Sequence, residues 1–341
     1  VADLGIVEAG LTTVGLYPSS SPSQVREILA DCEAGVAVVD TPDRLARLEE
    51  VRGDLPDLRT VVGQDAEPAD GATWERWLEA GAEALESGDV REELARRRDA
   101  TEADDVAALI YTSGSTGAPK GARVSHRCLL ASAASIRQTL GLTSDDTTLS
   151  FLPFCHAAER IFGLYTRLLC RMEAGLVEDP GRVWSAARAY RPTLFGGLPR
   201  FYEKLHDGLE AGGRVEEFLG DRLRLATSGG ATLPEAVSEG LAREGVVVLG
   251  AYGLTEHLCV AFNRPDRHDL STSGPPMPGT ELRLADDGEI LVRRSALTFS
   301  GYHGRPDATR QAFTGDGEWL RTGDLGELTP DGFLKEVGRK K

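Results

Sequence analysis

An α/β fold built on parallel sheet and joined to a small antiparallel β subdomain is what this sequence predicts, on three observations. Short apolar runs alternate with amphipathic helical spacings through most of the chain, as parallel strands with crossover helices require. Past about Gly274 the pattern changes to short alternating runs around a turn. A length of 341 residues, 41% hydrophobic and 27% charged, supports about two domains of ~150 residues with ample core.

Taken in order, Ser20-Ser21-Pro22 caps a helix whose apolar positions Val25, Ile28, Leu29 and Cys32 follow i, i+3, i+4, i+7, and Gly35-Val36-Ala37-Val38-Val39 reads as a strand. The acidic, alanine-rich stretch 64–98 contains Trp74, Trp77 and Leu78 and is expected to be a helical surface excursion. Val106-Ala107-Ala108-Leu109-Ile110 is a short apolar run of the buried parallel type, and Leu129, Leu130, Ala133 and Ile136 follow a helical spacing. Further strands are expected at 149–152, 193–195, 223–226 and 246–249, separated by helical segments. Glu281-Leu282-Arg283-Leu284 and Glu289-Ile290-Leu291-Val292-Arg293 flank Asp286-Asp287-Gly288, a hairpin signal. The α/β portion is therefore placed at 1–273 and the antiparallel subdomain at 274–337, with no internal repeat.

A formal charge of −16 argues against nucleic acid as a partner and against docking on anionic lipid through a basic surface. No apolar run approaches a transmembrane length and the opening residues form no signal peptide, so a cytoplasmic protein is expected. Five cysteines, odd in number and without a Cys-x-x-Cys pair, read as reduced thiols rather than a metal or redox site.

The segment with the most chemistry is Tyr111-Thr112-Ser113-Gly114-Ser115-Thr116-Gly117-Ala118-Pro119-Lys120-Gly121. Hydroxyls and backbone N–H groups offer many donors, glycines let the backbone approach an anion, and lysine adds a point charge. The apolar run before it and the helical spacing after it suggest a strand, loop, helix setting, which suits phosphate. It is not a Walker A loop, because Pro119 precedes the lysine and Gly121 follows it. A Gly/Ser-rich surface turn is the alternative. Against it, the chain holds five lysines and 33 arginines, so a lysine closing this loop stands out from the composition.

This loop resembles the signature of the adenylate-forming superfamily, which includes acyl-CoA synthetases, nonribosomal peptide adenylation domains and luciferases. Ser228-Gly229-Gly230-Ala231, Ala251-Tyr252-Gly253-Leu254-Thr255-Glu256, Arg321-Thr322-Gly323-Asp324 and Gly338-Arg339-Lys340-Lys341 are similar to further motifs in the same order. Leu152-Pro153-Phe154-Cys155-His156-Ala157-Ala158-Glu159-Arg160 and the segment 191–200 look most like long-chain fatty acyl-CoA synthetases. The resemblance implies the large domain of such an enzyme: two parallel-sheet α/β subdomains, an antiparallel β subdomain, and at 338–341 the start of a hinge. It spans nearly the whole chain but only part of a family member. It implies that both ends are truncated and that a helical insertion is missing after Ala211, so these residues alone are expected to bind ATP yet turn over slowly.

The resemblance also implies roles. Thr112, Ser113, Gly114, Ser115, Thr116, Gly117 and Lys120 would hold the phosphates of ATP, with Glu256, and Thr112 as a possible partner, on Mg²⁺. Gly229, Gly230 and Ala231 would line adenine and Tyr252 would stack on it, with Ala251 and Gly253 beside it and Thr255 touching phosphate. Ala251 departs from the glycine many members carry. Asp324 would hold both ribose hydroxyls, and Arg339 and Lys341 would approach from the hinge. His156 would line the acyl pocket, with Glu159-Arg160 as an ordering ion pair. The plainer alternatives are a turn aspartate for Asp324, a surface glutamate opening a helix for Glu256 and a structural histidine for His156.

The expected function is activation of a medium- or long-chain fatty acid to acyl-AMP and transfer to the thiol of coenzyme A. Its rivals are a fatty acyl-AMP ligase or adenylation enzyme loading a carrier-protein phosphopantetheine, and a non-catalytic nucleotide- or acyl-binding module.

Overall fold

The computed structural model describes residues 1–112 and 118–340; the expected loop residues Ser113, Gly114, Ser115, Thr116 and Gly117, and Lys341, lie outside them. The chain divides into two packed units, Val1–His126 with Ser300–Pro306, and Arg127–Phe299 with Asp307–Lys341.

In the first unit, strands Val36–Val39, Thr60–Gly63 and Ala72–Thr73 form a parallel sheet. Helix Pro22–Asp31 covers it as the spacing requires: Ser21 Oγ accepts from the Gln24 N–H at 3.3 Å while Gln24 Oε1 accepts from the Ser21 N–H at 2.9 Å, a complete capping box. The excursion is helical, Trp74–Glu86 and Gly88–Ala100, and Trp77 and Leu78 are exposed.

A second sheet of this unit orders Thr13–Val14, Val106–Thr112 and Lys120–Ser125. It corrects the expected setting of the glycine-rich loop. Val106–Thr112 pairs parallel with Thr13–Val14 but antiparallel with Lys120–Ser125, so the loop joins two strands of a hairpin and the helix, His126–Leu140, begins only after the second strand. The reason is local. The Tyr111 ring lies over Gly121, its cross-strand partner, where an added Cβ would stand 2.9 Å from Tyr111 Cζ, and its hydroxyl donates to Asp31 Oδ2 at 2.7 Å. Arg305 donates to the other oxygen of Asp31 at 2.5 Å.

The second unit holds a six-stranded sheet in the order His257–Phe262, Val248–Leu254, Leu225–Ser228, Leu194–Gly197, Thr147–Ser150, Glu173–Leu176. All neighbours are parallel except the first pair, which is an antiparallel hairpin. Phe195, Ala226 and Val248 stand in register on one face, buried against Phe201, Tyr202 and Leu205 of helix Pro199–Glu210 and Leu241 of helix Glu235–Arg243. Each such aromatic or leucine contributes about 1.5–3 kcal/mol on burial. Asp146 ties the lower strand ends together. It is buried, accepts both Nε and Nη2 of Arg224 at 3.0 and 2.7 Å, and accepts the Thr193 hydroxyl at 2.9 Å.

The same unit carries a four-stranded antiparallel meander, Leu282–Leu284, Glu289–Arg293, Trp319–Leu328 and Leu334–Arg339. The hairpin expected at Asp286-Asp287-Gly288 is its first turn, with Gly288 at φ +82°. An α/β chain with parallel sheets and a small antiparallel sheet is thus the observed fold class.

Candidate active site

Strand Val248–Leu254 reverses into His257–Phe262 through Thr255-Glu256, a two-residue turn closed by the Leu254 and His257 pair. Gly253 makes this hairpin possible, since a Cβ there would sit 2.5 Å from the Leu258 carbonyl oxygen. Glu256 is therefore at a hairpin tip rather than opening a helix, and its carbonyl accepts from the Phe299 N–H at 2.9 Å.

On the same strand, the Tyr252 hydroxyl donates to Asp324 Oδ2 at 2.7 Å. Asp324 is buried and its other oxygen, Oδ1, pairs with Arg339 Nε at 2.9 Å. Burial, and then the Asp324 charge, push the Tyr252 phenol well above its ordinary range, so it stays a donor. Asp324 is aimed by the irregular stretch of its own strand, where the register with Glu289–Arg293 shifts. Its N–H donates to Thr322 Oγ1 at 3.1 Å, the Thr322 hydroxyl donates to the Ile290 carbonyl at 2.8 Å, and Gly323, at φ +72°, donates to Glu289 Oε1 at 3.1 Å.

The glycine motif after Leu225–Ser228 joins this cluster. Ser228 and Gly250 are register partners, and a Cβ on Gly229 would meet only Ala251, at 3.5 Å and beyond. Gly230 sits at φ +82°, a left-handed conformation suited to glycine. Ala251 is accommodated at ordinary contact distance, so its departure from glycine does not disturb the approach.

Two residues here escaped the sequence reading. Glu336 lies on the strand paired with that of Asp324. Its Oε2 accepts the Ser273 hydroxyl at 2.8 Å, while Oε1 is buried without a hydrogen-bond partner among the described residues. Burial, and to a lesser degree the nearby Asp324 charge, push its carboxyl up. Glu289, also buried, accepts from Lys340 Nζ at 2.8 Å, and Lys340 reaches Asp287 at 2.5 Å, so the end of strand Leu334–Arg339 is pinned. The signal was weak because lone acidic residues in short strands look like solvated faces.

His156 follows strand Thr147–Ser150 in the turn that opens the π-helical segment Glu159–Tyr165. Its Nδ1 accepts the Ala158 N–H at 3.1 Å and burial lowers its pKa, so the neutral ring carries its proton on Nε2. No hydrogen bond or ion pair among the described residues joins it to Tyr252 or Asp324. The expected Glu159-Arg160 ion pair is replaced. Glu159 Oε1 accepts from Arg167 Nη2 at 3.0 Å and from the Ser150 hydroxyl at 2.6 Å, whereas Arg160 Nε donates to the Phe154 carbonyl at 3.1 Å. Adjacent residues on a helical turn point apart, which places Arg160 away from the carboxylate. Gly163 leaves the space that the Glu159 carboxylate fills.

His257, next to Glu256, is fully buried between the hydroxyls of Thr298, 3.2 Å from Nδ1, and Thr280, 3.0 Å from Nε2. Burial pushes it down to about 4. Because this pKa lies below the unfolded value, its stabilisation is complete above pH ~6.5 and is lost as pH falls toward 4, about 2 kcal/mol of it by pH 5. Chemical denaturation at pH 7 and pH 5 is expected to show that loss, and His257→Gln to remove this component of the pH dependence.

In the first unit, Thr112 and Lys120 are cross-strand partners at the mouth of the loop, both half-buried, with Lys120 Nζ 5.5 Å from the centroid of the Tyr302 ring. The five cysteines are free. No described helix is long and apolar enough to cross a membrane.

Open α/β sheets take up ligands at the carboxyl ends of their strands, and what converges there in the second unit suits a purine nucleoside: accessible glycine backbone, an aromatic side chain and a carboxylate, with a buried acceptor still to be satisfied at Glu336. The class is that of a nucleotide-binding α/β protein. The family model described as AMP-binding enzyme matches residues 1–303, and the chain belongs to that family.

Among curated relatives, the chain is 32% identical over 390 residues to the long-chain-fatty-acid–CoA ligase FadD15 of Mycobacterium bovis (strain ATCC BAA-935 / AF2122/97), covering 100% of this chain and 63% of that protein. It is 34% identical over 359 residues to the 3-[(3aS,4S,7aS)-7a-methyl-1,5-dioxo-octahydro-1H-inden-4-yl]propanoyl:CoA ligase of Mycobacterium tuberculosis (strain ATCC 25618 / H37Rv), covering 100% and 67%. Among solved structures, the malonyl-CoA ligase complex with methylmalonyl-CoA and AMP superposes with a TM-score of 0.77 at 29% identity, over 99% of this chain and 68% of that one. The chain thus spans 63% of the length of the FadD15 relative.

Proposed function

We propose that the protein activates a carboxylic acid, a medium- or long-chain fatty acid in keeping with relatives named for long-chain fatty acids, to an acyl-AMP with ATP, and passes the acyl group to coenzyme A. The observation that carries the reading is the convergence of Gly229, Tyr252 and Asp324 at the strand ends. Relatives named as fatty-acid–CoA ligases support it.

In this reading Tyr252, Gly229, Gly230, Ala231, Ala251 and Gly253 receive the adenine, and Asp324 the ribose. Lys120 and the loop from Thr112 to Gly117 take the phosphates, with Thr255 contributing a hydroxyl and Arg339 and Lys341 charge. Glu256 offers an oxygen donor of the kind Mg²⁺ prefers, and the ion would neutralise phosphate charge. His156, neutral and carrying its proton on Nε2, would donate toward the carboxylate substrate. Joining two anions demands charge neutralisation above all, which is why positively charged and donor groups dominate the set.

ATP–pyrophosphate exchange across acetate, octanoate and palmitate, followed by thioester formation with coenzyme A, tests the proposal. Exchange stimulated by no acid would refute it. Loss of the Asp324 carboxylate gives a sharper check. Asp324→Ala is expected to weaken ATP by about 1.5–3 kcal/mol while leaving pyrophosphate and fatty acid binding nearly unchanged, read by calorimetric titration. Equal loss for every ligand would make Asp324 a turn-stabilising residue instead.

A further inference from the structure

We propose that Asp31 is a positioning residue for Lys120: its carboxylate ties together the two arms that hold the loop hairpin, and so fixes where the lysine stands. The inference rests on the reading of Lys120 as a phosphate ligand.

Strand Lys120–Ser125 has Val106–Thr112 on one edge. Along its other edge the segment 300–303 is hydrogen-bonded like a further antiparallel strand. The Arg123 N–H donates to the Gly301 carbonyl at 2.9 Å, the Ser300 N–H to the Arg123 carbonyl at 2.8 Å and the His303 N–H to the Gly121 carbonyl at 2.8 Å, with Ala122 and Tyr302 in register. Two residues past this segment, Arg305 Nη2 donates to Asp31 Oδ1 at 2.5 Å. From the inner strand the Tyr111 hydroxyl donates to Oδ2 at 2.7 Å. Burial, and then that hydrogen bond, push the phenol well above its ordinary range, so it remains the donor. Each carboxylate oxygen thus takes one arm. The carboxylate itself is set from outside the hairpin, because Asp31 ends helix Pro22–Asp31, which is capped at its start and buries Ile28 and Leu29, and its side chain is only 14% exposed.

What these ties control lies one residue away. Tyr111 faces Gly121 across the hairpin, and the next pair toward the loop is Thr112 and Lys120. Glycine offers the ring a flat surface rather than a side chain to lock against, so the lateral position of the ring falls to its hydroxyl. Strand residues are about 3.4 Å apart, so a slip of Tyr111 is passed almost undiminished to the lysine. Position matters steeply for a charge that acts on phosphate, where a misplacement of about 1 Å can cost on the order of 10²-fold in rate.

Calorimetric titration with ATP in the presence of Mg²⁺, and with adenosine, tests the assignment, because adenosine lacks the phosphates that Lys120 would hold. Asp31→Ala is expected to weaken ATP about five- to tenfold, part of what a charge-assisted contact is worth, and to leave adenosine within about twofold. Added to Lys120→Ala, it should weaken ATP by no more than about twofold further, since a residue acting through the lysine has nothing to act on once the lysine is gone. Tyr111→Phe keeps the ring on Gly121 and loses one tie, so it gives the same test with less risk to the fold: a loss of about two- to threefold on ATP that disappears in the Lys120→Ala background. Thermal melting of each variant confirms the fold. A full further loss in the double variants, equal losses for ATP and adenosine, or unchanged ATP binding in both Asp31→Ala and Tyr111→Phe would overturn the positioning role and leave Lys120 its own. ATP binding by Lys120→Ala as tight as that of the unmodified protein would overturn the phosphate reading and the positioning role with it.

Discussion

Lys120→Ala is expected to slow acid-dependent ATP–pyrophosphate exchange on the order of 10²–10³-fold, the cost of removing one well-placed electrostatic contact to a transition state. The lysine stands at the mouth of the hydroxyl-rich loop, paired across the hairpin with Thr112. Among the described residues its Nζ lies over the face of Tyr302, 5.5 Å from the ring centroid, and a contact of that kind contributes about 0.5–1 kcal/mol. Activity and stability should therefore separate, with exchange collapsing while the denaturation midpoint moves little. Exchange at the unmodified rate would remove Lys120 from the chemistry.

The largest expected loss of stability is at the buried pair below the π-helical segment. Arg167→Met should cost about 3–5 kcal/mol, because the Glu159 carboxylate would remain buried with the Ser150 hydroxyl in place of a charge. It has nowhere to turn, since the space over Gly163 is already its own. Burial raises the Glu159 pKa even with Arg167 present, and without the arginine it rises further. A carboxyl whose folded pKa is raised gains relative stability as pH falls, so the variant's deficit should narrow in acid. The double variant Glu159→Gln, Arg167→Met should recover much of the loss in chemical denaturation. An Arg167→Met protein as stable as its parent would show that the pair is dispensable.

How much of this was legible in the sequence depends on the distance over which each feature is encoded. The Ser21 cap and the turn at Asp286-Asp287-Gly288 are written in a few adjacent residues and were readable. Motifs that keep their order, from Ser228 to Arg339, contain Tyr252, Asp324 and Arg339, which meet within the second unit. Strand Lys120–Ser125 was not readable, because Lys-Gly-Ala-Arg has little strand preference and is made a strand by Tyr111 lying on Gly121. Glu159 was given its neighbour as a partner, when the helical turn delivers Arg167 instead. Glu336 and Glu289 matter only because the meander folds them against Ser273 and Lys340, which no local pattern announces.

The Tyr111 and Gly121 pair has an evolutionary consequence. A side chain at 121 is blocked while the ring is present, and the ring is held in place by Asp31 and, through it, Arg305. Single substitutions at any of these positions meet the others' constraint, so the four should be epistatic: change at 121 becomes permissible only in backgrounds where 111 has already become small. Sequence drift beside the loop is thereby restricted to a few ordered routes, and the hairpin that presents Lys120 is constrained as a group of residues rather than one residue at a time.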